Sequence, residues 1–214
     1  MAIALWFSPS RSSAVHDTLY SLILSLQTLF PDAVLFEPHL TLTSQLNCNT
    51  AQDVETVLTS CVAAVQSIRA KLKDEQLVSF TGVSIGKKYF DKVRLDCPKN
   101  RYLCSIAQVM RELYVASSAE EASNWVLEEF HPHVSLVYSD VYHVDQALSR
   151  VLQQRIEDAL DLSMYEAPHH RREGDQTTWT LDQHLPGWSV PGTFKIVRCE
   201  GPVSEWQVLG SADV

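Results

Sequence analysis

The chain has 214 residues, 45% of them hydrophobic and 20% charged. That is ordinary globular composition, enough for one large domain or two small lobes with a core, and it excludes a disordered chain. With 17 Lys and Arg against 26 Asp and Glu the net charge is −9, which disfavours grip on long nucleic acid but leaves room for a small anion in a local pocket.

The opening MAIALWFSPSR has too short an apolar stretch for a secretory signal and no basic residue ahead of it, so none is expected. No run approaches the roughly 18 apolar residues of a membrane span. In chain order, residues 2–7 predict a strand, with a turn at Ser8, Pro9 and Ser10. Residues 15–30 carry Leu19, Leu22, Ile23, Leu26 and Leu29 at helical spacing, and Pro31 and Asp32 end that helix. A strand follows near residue 40, and Thr50 caps a helix running to about residue 70. Residues 77–85 and 88–96 read as paired strands joined at Gly86 and Lys87. Helices are expected over 102–115 and 119–126, then a strand near 134 and a helix over 144–160. Residues 166–176 are polar and read as an exposed loop, 177–181 as a strand, and 193–209 as a hairpin turning at Glu200, Gly201 and Pro202. The five cysteines (Cys48, Cys61, Cys97, Cys104, Cys199) are odd in number and lack C-x-x-C spacing, so free thiols in a reducing compartment are expected. Only the offset of Cys97 and Cys104 suits closing a loop.

One string occurs twice. FEPHLTL at 36–42 returns as FHPHVSL at 130–136, each time followed by a long predicted helix. The order of elements implies an α+β fold with mainly antiparallel sheets, and the matched positions of the echoes imply two similar lobes. On a strand, alternate side chains share a face. His39, Thr41 and Thr43 then point one way, as do His133 and Ser135, while Leu40, Leu42, Val134 and Leu136 face the core. Pro38 and Pro132 precede the strands, where a missing N–H costs least. Two such surfaces make a cleft with two imidazoles and several hydroxyls. Histidine takes and gives protons near neutral pH, so one can accept a proton from water while the other protonates a leaving oxygen. Hydroxyls can donate to phosphate oxygens, and no metal or other cofactor is needed. His131 and His133 form an H-x-H that could start a metal site, but no carboxylate or Cys is spaced to complete it, and Glu37 breaks the pattern in the first copy.

The pair His39-Leu40-Thr41-Leu42 and His133-Val134-Ser135-Leu136 resembles the repeated H-x-T/S-x motif of the two-histidine phosphoesterases. With Phe36, Pro38, Phe130, Pro132, Tyr138 and the tail GTFKIVRCEGPV at 192–203, the chain is similar along its whole length to the fungal 2′,3′-cyclic-nucleotide 3′-phosphodiesterases. The resemblance implies one bilobal domain over 1–214. Each lobe would be an antiparallel sheet with helices on its outer side, related by a pseudo-two-fold, with the active-site cleft between. It implies metal-independent hydrolysis of 2′,3′-cyclic nucleotides to 2′-phosphates and opening of ADP-ribose 1″,2″-cyclic phosphate downstream of tRNA splicing. It implies His133 as general base and His39 as general acid, with Thr41 and Ser135 on the substrate. Tyr138 matches a family tyrosine near the nucleotide base, although strict alternation puts it on the far face unless the strand ends or bulges first. Tyr89 or Phe90 would supply the other stacking surface. A monomer is expected, cytoplasmic by sequence, with Golgi association known for fungal relatives.

Other readings stay open. The same cleft could serve a non-catalytic nucleotide- or RNA-binding module, or the H-x-H a zinc hydrolase. His169, His170, Arg171 and Arg172 read as a solvated loop or as a flap attracting phosphate. Lys87 and Lys88 read as a polar turn or as neighbours of bound phosphate, and Trp179 and Trp188 as core anchors or base platforms.

Overall fold

The computed structural model describes residues 3–73, 75–141, 143–168 and 171–214. Among them are nine strands and five α-helices: β1 (Ile3–Pro9), α1 (Ala14–Gln27), β2 (Leu40–Ser44), α2 (Ala51–Ile68), β3 (Ser79–Gly86), β4 (Val93–Asp96), α3 (Arg101–Tyr114), α4 (Ala119–Glu128), β5 (His133–Val137), α5 (Gln146–Leu160), β6 (Met164–Glu166), β7 (Asp175–Pro186), β8 (Gly192–Arg198) and β9 (Gln207–Asp213). The fold is α+β, as the order of elements implied.

The strands form one antiparallel sheet in the order β6-β7-β3-β4-β5-β2-β1-β8-β9. Two separate sheets had been expected; instead the two echo strands are neighbours at the centre of one. They meet through a single registered pair, Leu40 with Val134. Each is tied more fully to its outer neighbour, β2 to β1 and β5 to β4, through four pairs apiece.

The sheet has two unlike faces. Leu5, Phe7, Leu40, Leu42, Val134 and Leu136 join the buried faces of the helices in one core. On the other face the apolar cluster is small, Ala4, Trp6 and Val197 with Cys199 and Trp206 packed on it. The helices start where the sequence provides caps. Thr50 and Asp53 make a reciprocal capping box on α2, and the Asn100 side chain accepts from two backbone N–H groups of α3. All five cysteines are free thiols.

Local differences have local causes. Residues 89–91 form a 3-10 turn and not the start of a strand, because the chain must fold back against Gly86. A Cβ at Gly86 would strike the carbonyl of Asp91. β7 is longer than the polar pattern predicted and absorbs the end of the expected loop. It borders a polar face, so its Thr residues alternate with few apolar partners.

That polar face buries charge. Arg94 is 1% exposed. Its Nη2 donates to both carboxylate oxygens of Asp175 at 2.9 Å, and its Nε donates to Asp96 at 3.0 Å. Ser84 donates to the other oxygen of Asp96. Asp175→Asn removes one of the two carboxylates that balance Arg94 and leaves Asp96, so it should destabilise the fold by about 1–3 kcal/mol, read as a lower urea midpoint.

Candidate active site

The single pair at the seam sets the site. Carrying the antiparallel register of Leu40 and Val134 one residue either way puts His39 opposite Ser135 and Thr41 opposite His133. Each imidazole thus faces the hydroxyl of the other motif, and all four share the face away from the helices. Opposite residues stand about 5 Å apart at Cβ and diagonal ones about 7–8 Å, and the two imidazoles are diagonal neighbours across the seam. The same face continues outward. Trp6 is registered with Thr41 and with Lys195. Ser135 is registered with Arg94, and His133 with Asp96.

The rest of the echo explains how each ring is aimed. Nδ1 of His39 lies 2.7 Å from the carbonyl of Glu37, and Nδ1 of His133 lies 2.8 Å from the carbonyl of His131. A carbonyl only accepts, so each Nδ1 carries the proton and each Nε2 is left as an acceptor. The residue before a proline is held extended, which presents its carbonyl back to the ring two positions on. Phe36, Pro38, Phe130 and Pro132 are buried and fix both segments.

The surroundings of the two rings differ. His39 is 3% exposed and stacks on Trp6, with ring centroids 3.6 Å apart. Burial pushes its pKa down to about 4, and the nearby charges of His133 and Lys195 act the same way against the Glu37 carbonyl. Its Nε2 meets the Tyr138 hydroxyl at 3.5 Å. His133 is 27% exposed and lines a cavity of about 600 Å³ with Lys87, Lys88, Asp91, His131 and Arg172. Burial lowers its pKa too; Arg94 and Arg172 add to that, while the His131 carbonyl and Asp91 oppose it. A second cavity of about 300 Å³ lies beyond His131 over Ser84, Arg94, Asp96 and Thr178.

Tyr138 reaches the histidine face by the route its position required. β5 bulges: Val137 pairs with Val93 but Ser135 with Arg94, which skips Leu136 and resets the alternation. Tyr138 then stacks on Phe36 at 4.2 Å between centroids and meets Phe90 edge-on at 5.3 Å. Tyr89 lies 6.0 Å from Tyr138. Phe90 is 52% exposed and sits at the rim.

Thr43 is not brought to this group. A register shift in the β1–β2 ladder pairs Thr43 with Leu5, on the helix-covered face, where Arg111 of α3 donates to its hydroxyl at 3.1 Å. Trp179 and Trp188 are buried core residues. His169 and His170 lie outside the described residues. Four neighbours were not anticipated. Trp6 and Trp206 join the aromatic group, 5.9 Å apart. Lys195 is held by Glu37, which also takes Arg11. Asp91 stands 4.0 Å from Nε2 of His133. Trp6 sits in a strand that is apolar on both faces, and Trp206 follows a loop, so neither showed a period.

In the unfolded chain His39 takes a proton near pH 6.5, and in the fold only near 4. Between those values the unfolded state binds more protons. The contribution is full above about pH 6.5 and is lost as pH falls toward 4. His39→Asn should therefore flatten the fall in urea stability across that window, by up to one proton taken up on unfolding.

The chain is similar along its whole length to known proteins. The family model described as "Cyclic phosphodiesterase-like protein" matches residues 1–214. A protein of Eremothecium gossypii named 2′,3′-cyclic-nucleotide 3′-phosphodiesterase is 53% identical over 218 aligned residues, covering 100% of each chain. Proteins of the same name from Saccharomyces cerevisiae and Kluyveromyces lactis are 50% and 46% identical, covering 100% of this chain and 100% and 99% of their own. With a match of that extent to the family model, and relatives this close from end to end, the chain belongs to the cyclic phosphodiesterase-like protein family.

Proposed function

We propose that this chain is a 2′,3′-cyclic-nucleotide 3′-phosphodiesterase, acting as one domain and a monomer without a metal. The observation that carries the reading is the shared clamp: both imidazoles have Nδ1 bound to a carbonyl, which leaves Nε2 the accepting nitrogen, that of His133 beside a cavity and that of His39 against the Tyr138 hydroxyl. The relatives bearing that name support the substrate class.

The cyclic phosphate sits between the rings, with the Thr41 and Ser135 hydroxyls donating to its non-bridging oxygens. His133 opens on a solvent-filled cavity, so it is the base that takes the proton of water. His39 is sealed among aromatics, where no bulk water competes, and it protonates the departing 3′ oxygen. Burial leaves His39 neutral in the empty site. The phosphate anion favours its charged form and so loads the acid as substrate binds. The Tyr138 hydroxyl, now beside Nε2, yields that position to the leaving oxygen. Tyr138, Tyr89 and Phe90, with Trp6 and Trp206, supply aromatic faces for the nucleobase. ADP-ribose 1″,2″-cyclic phosphate presents the same five-membered ring on a ribose and is a second substrate on this reading. That would place the chain downstream of tRNA splicing. Among the described residues, no helix is long and apolar enough to cross a membrane.

His39→Ala and His133→Ala should each lower kcat by roughly 10² to 10⁴ on 2′,3′-cyclic AMP. Normal turnover by either variant would refute the acid–base pair. Thr41→Ala and Ser135→Ala should cost less, with part of the loss in KM. Activity should persist in EDTA with a bell-shaped pH profile; loss in chelator would favour a metal at the H-x-H, and no turnover by the intact chain a binding module.

A further inference from the structure

An in-line attack needs the water fixed in direction as well as deprotonated, and one imidazole nitrogen gives it a single contact. Asp91 lies where a second contact is wanted. Its Oδ1 is 4.0 Å from Nε2 of His133, too far for a direct hydrogen bond and a span that one water bridges. A water about 2.8 Å from both atoms subtends an angle close to that between its own hydrogens. Both side chains line the same cavity, and they are 35% and 27% exposed, so solvent reaches the gap.

The carboxylate is held there by its backbone. The Asp91 N–H donates to the Lys88 carbonyl at 3.1 Å, and the Asp91 carbonyl lies against Gly86, where only a missing Cβ leaves room. Arg172 stands 4.0 Å from the same Oδ1 and balances its charge. The other charged or titratable groups around His133 are Arg94 and Asp96 from β4, His131 from the start of its own strand, His39 across the seam, and Lys87, Lys88, Glu129, Glu173 and Asp175 on the walls of the cavity.

We propose that Asp91 and His133 together hold the attacking water, which donates one hydrogen to each; this rests on the acid–base reading of the two histidines. As the water oxygen bonds to phosphorus, His133 takes one proton and the other hydrogen stays on the new phosphate. The bond from phosphorus to the 3′ oxygen breaks, and that oxygen takes the proton of His39. Asp91 is a positioning residue for the nucleophile and makes no covalent bond.

Methanol tests this directly, because it has one hydroxyl hydrogen and can satisfy His133 but not Asp91. With 2′,3′-cyclic AMP in water containing methanol, the wild-type chain should yield mainly the nucleoside 2′-phosphate and little of its methyl ester. Asp91→Ala should lower kcat roughly 10²-fold with little change in KM, and should raise the methyl-ester fraction severalfold. Asp91→Asn keeps an accepting oxygen but loses the charge that favours protonated His133. Its kcat should fall less, and the limb of kcat/KM that reports His133 should move to lower pH. An unchanged methyl-ester fraction in folded Asp91→Ala, or an unmoved pH–rate profile in Asp91→Asn, overturns the assignment. Failure of the intact chain to turn over, or full turnover by His133→Ala, would instead overturn the reading beneath it.

Discussion

Everything proposed for this site depends on two hydrogen bonds of one kind, each from a histidine Nδ1 to the carbonyl two residues earlier. They select the tautomer, aim the rings and leave both Nε2 atoms as acceptors. The repeated string is written for that purpose. The phenylalanine anchors the segment, the proline keeps the preceding residue extended, and the apolar alternate positions bind the strand to the core. The position between Phe and Pro acts through its main chain, so its side chain is free for other work. Glu37 uses it to hold Lys195 and Arg11, and His131 to line the two cavities beside His133.

The two-faced sheet separates stability from chemistry. One face meets the helices and holds most of the core. The other buries charge, with Arg94 fully enclosed between Asp96 and Asp175 next to the strand of His133. A buried cation with two carboxylates adds little net stability over an apolar substitute. It does pin the segment after Arg171 to the hairpin that carries Asp91, through Asp175 and through the Lys87 N–H to the Gly174 carbonyl. The electrostatic surroundings of His133 are thus built from three separate parts of the chain, while those of His39 are mainly aromatic.

How much of this could be read from residues alone follows the same division. The histidines, their hydroxyl partners and the helices on the core side were legible, because burial writes itself as period in the sequence. Thr43 was misplaced because a ladder shift near Leu5 turns it over, and irregularities of register leave no mark in a string of alternating residues. Tyr138 was read as needing a bulge, and a bulge is there. Asp91 and Trp206 come from turns, where position is set by hydrogen bonds and close approach to glycine, and no periodicity points to them; Arg172 shows in the sequence only as one of several basic residues in a polar loop. The single sheet in place of two was hidden because neighbours across a seam need not be neighbours in sequence.

That seam has a mechanical meaning. Each histidine strand is laced to its outer neighbour by four residue pairs, whereas β2 and β5 share the single registered pair of Leu40 and Val134, and side chains join the two sides elsewhere: Tyr138 on Phe36, Ser139 on Asp32 and Arg155 on Ser25. With so short a ladder between them, the spacing of the two rings is set as much by these side chains as by the sheet. Phe36, Asp32 and Tyr138 lie outside both strands, so the gauge of the site is held by residues that belong to neither.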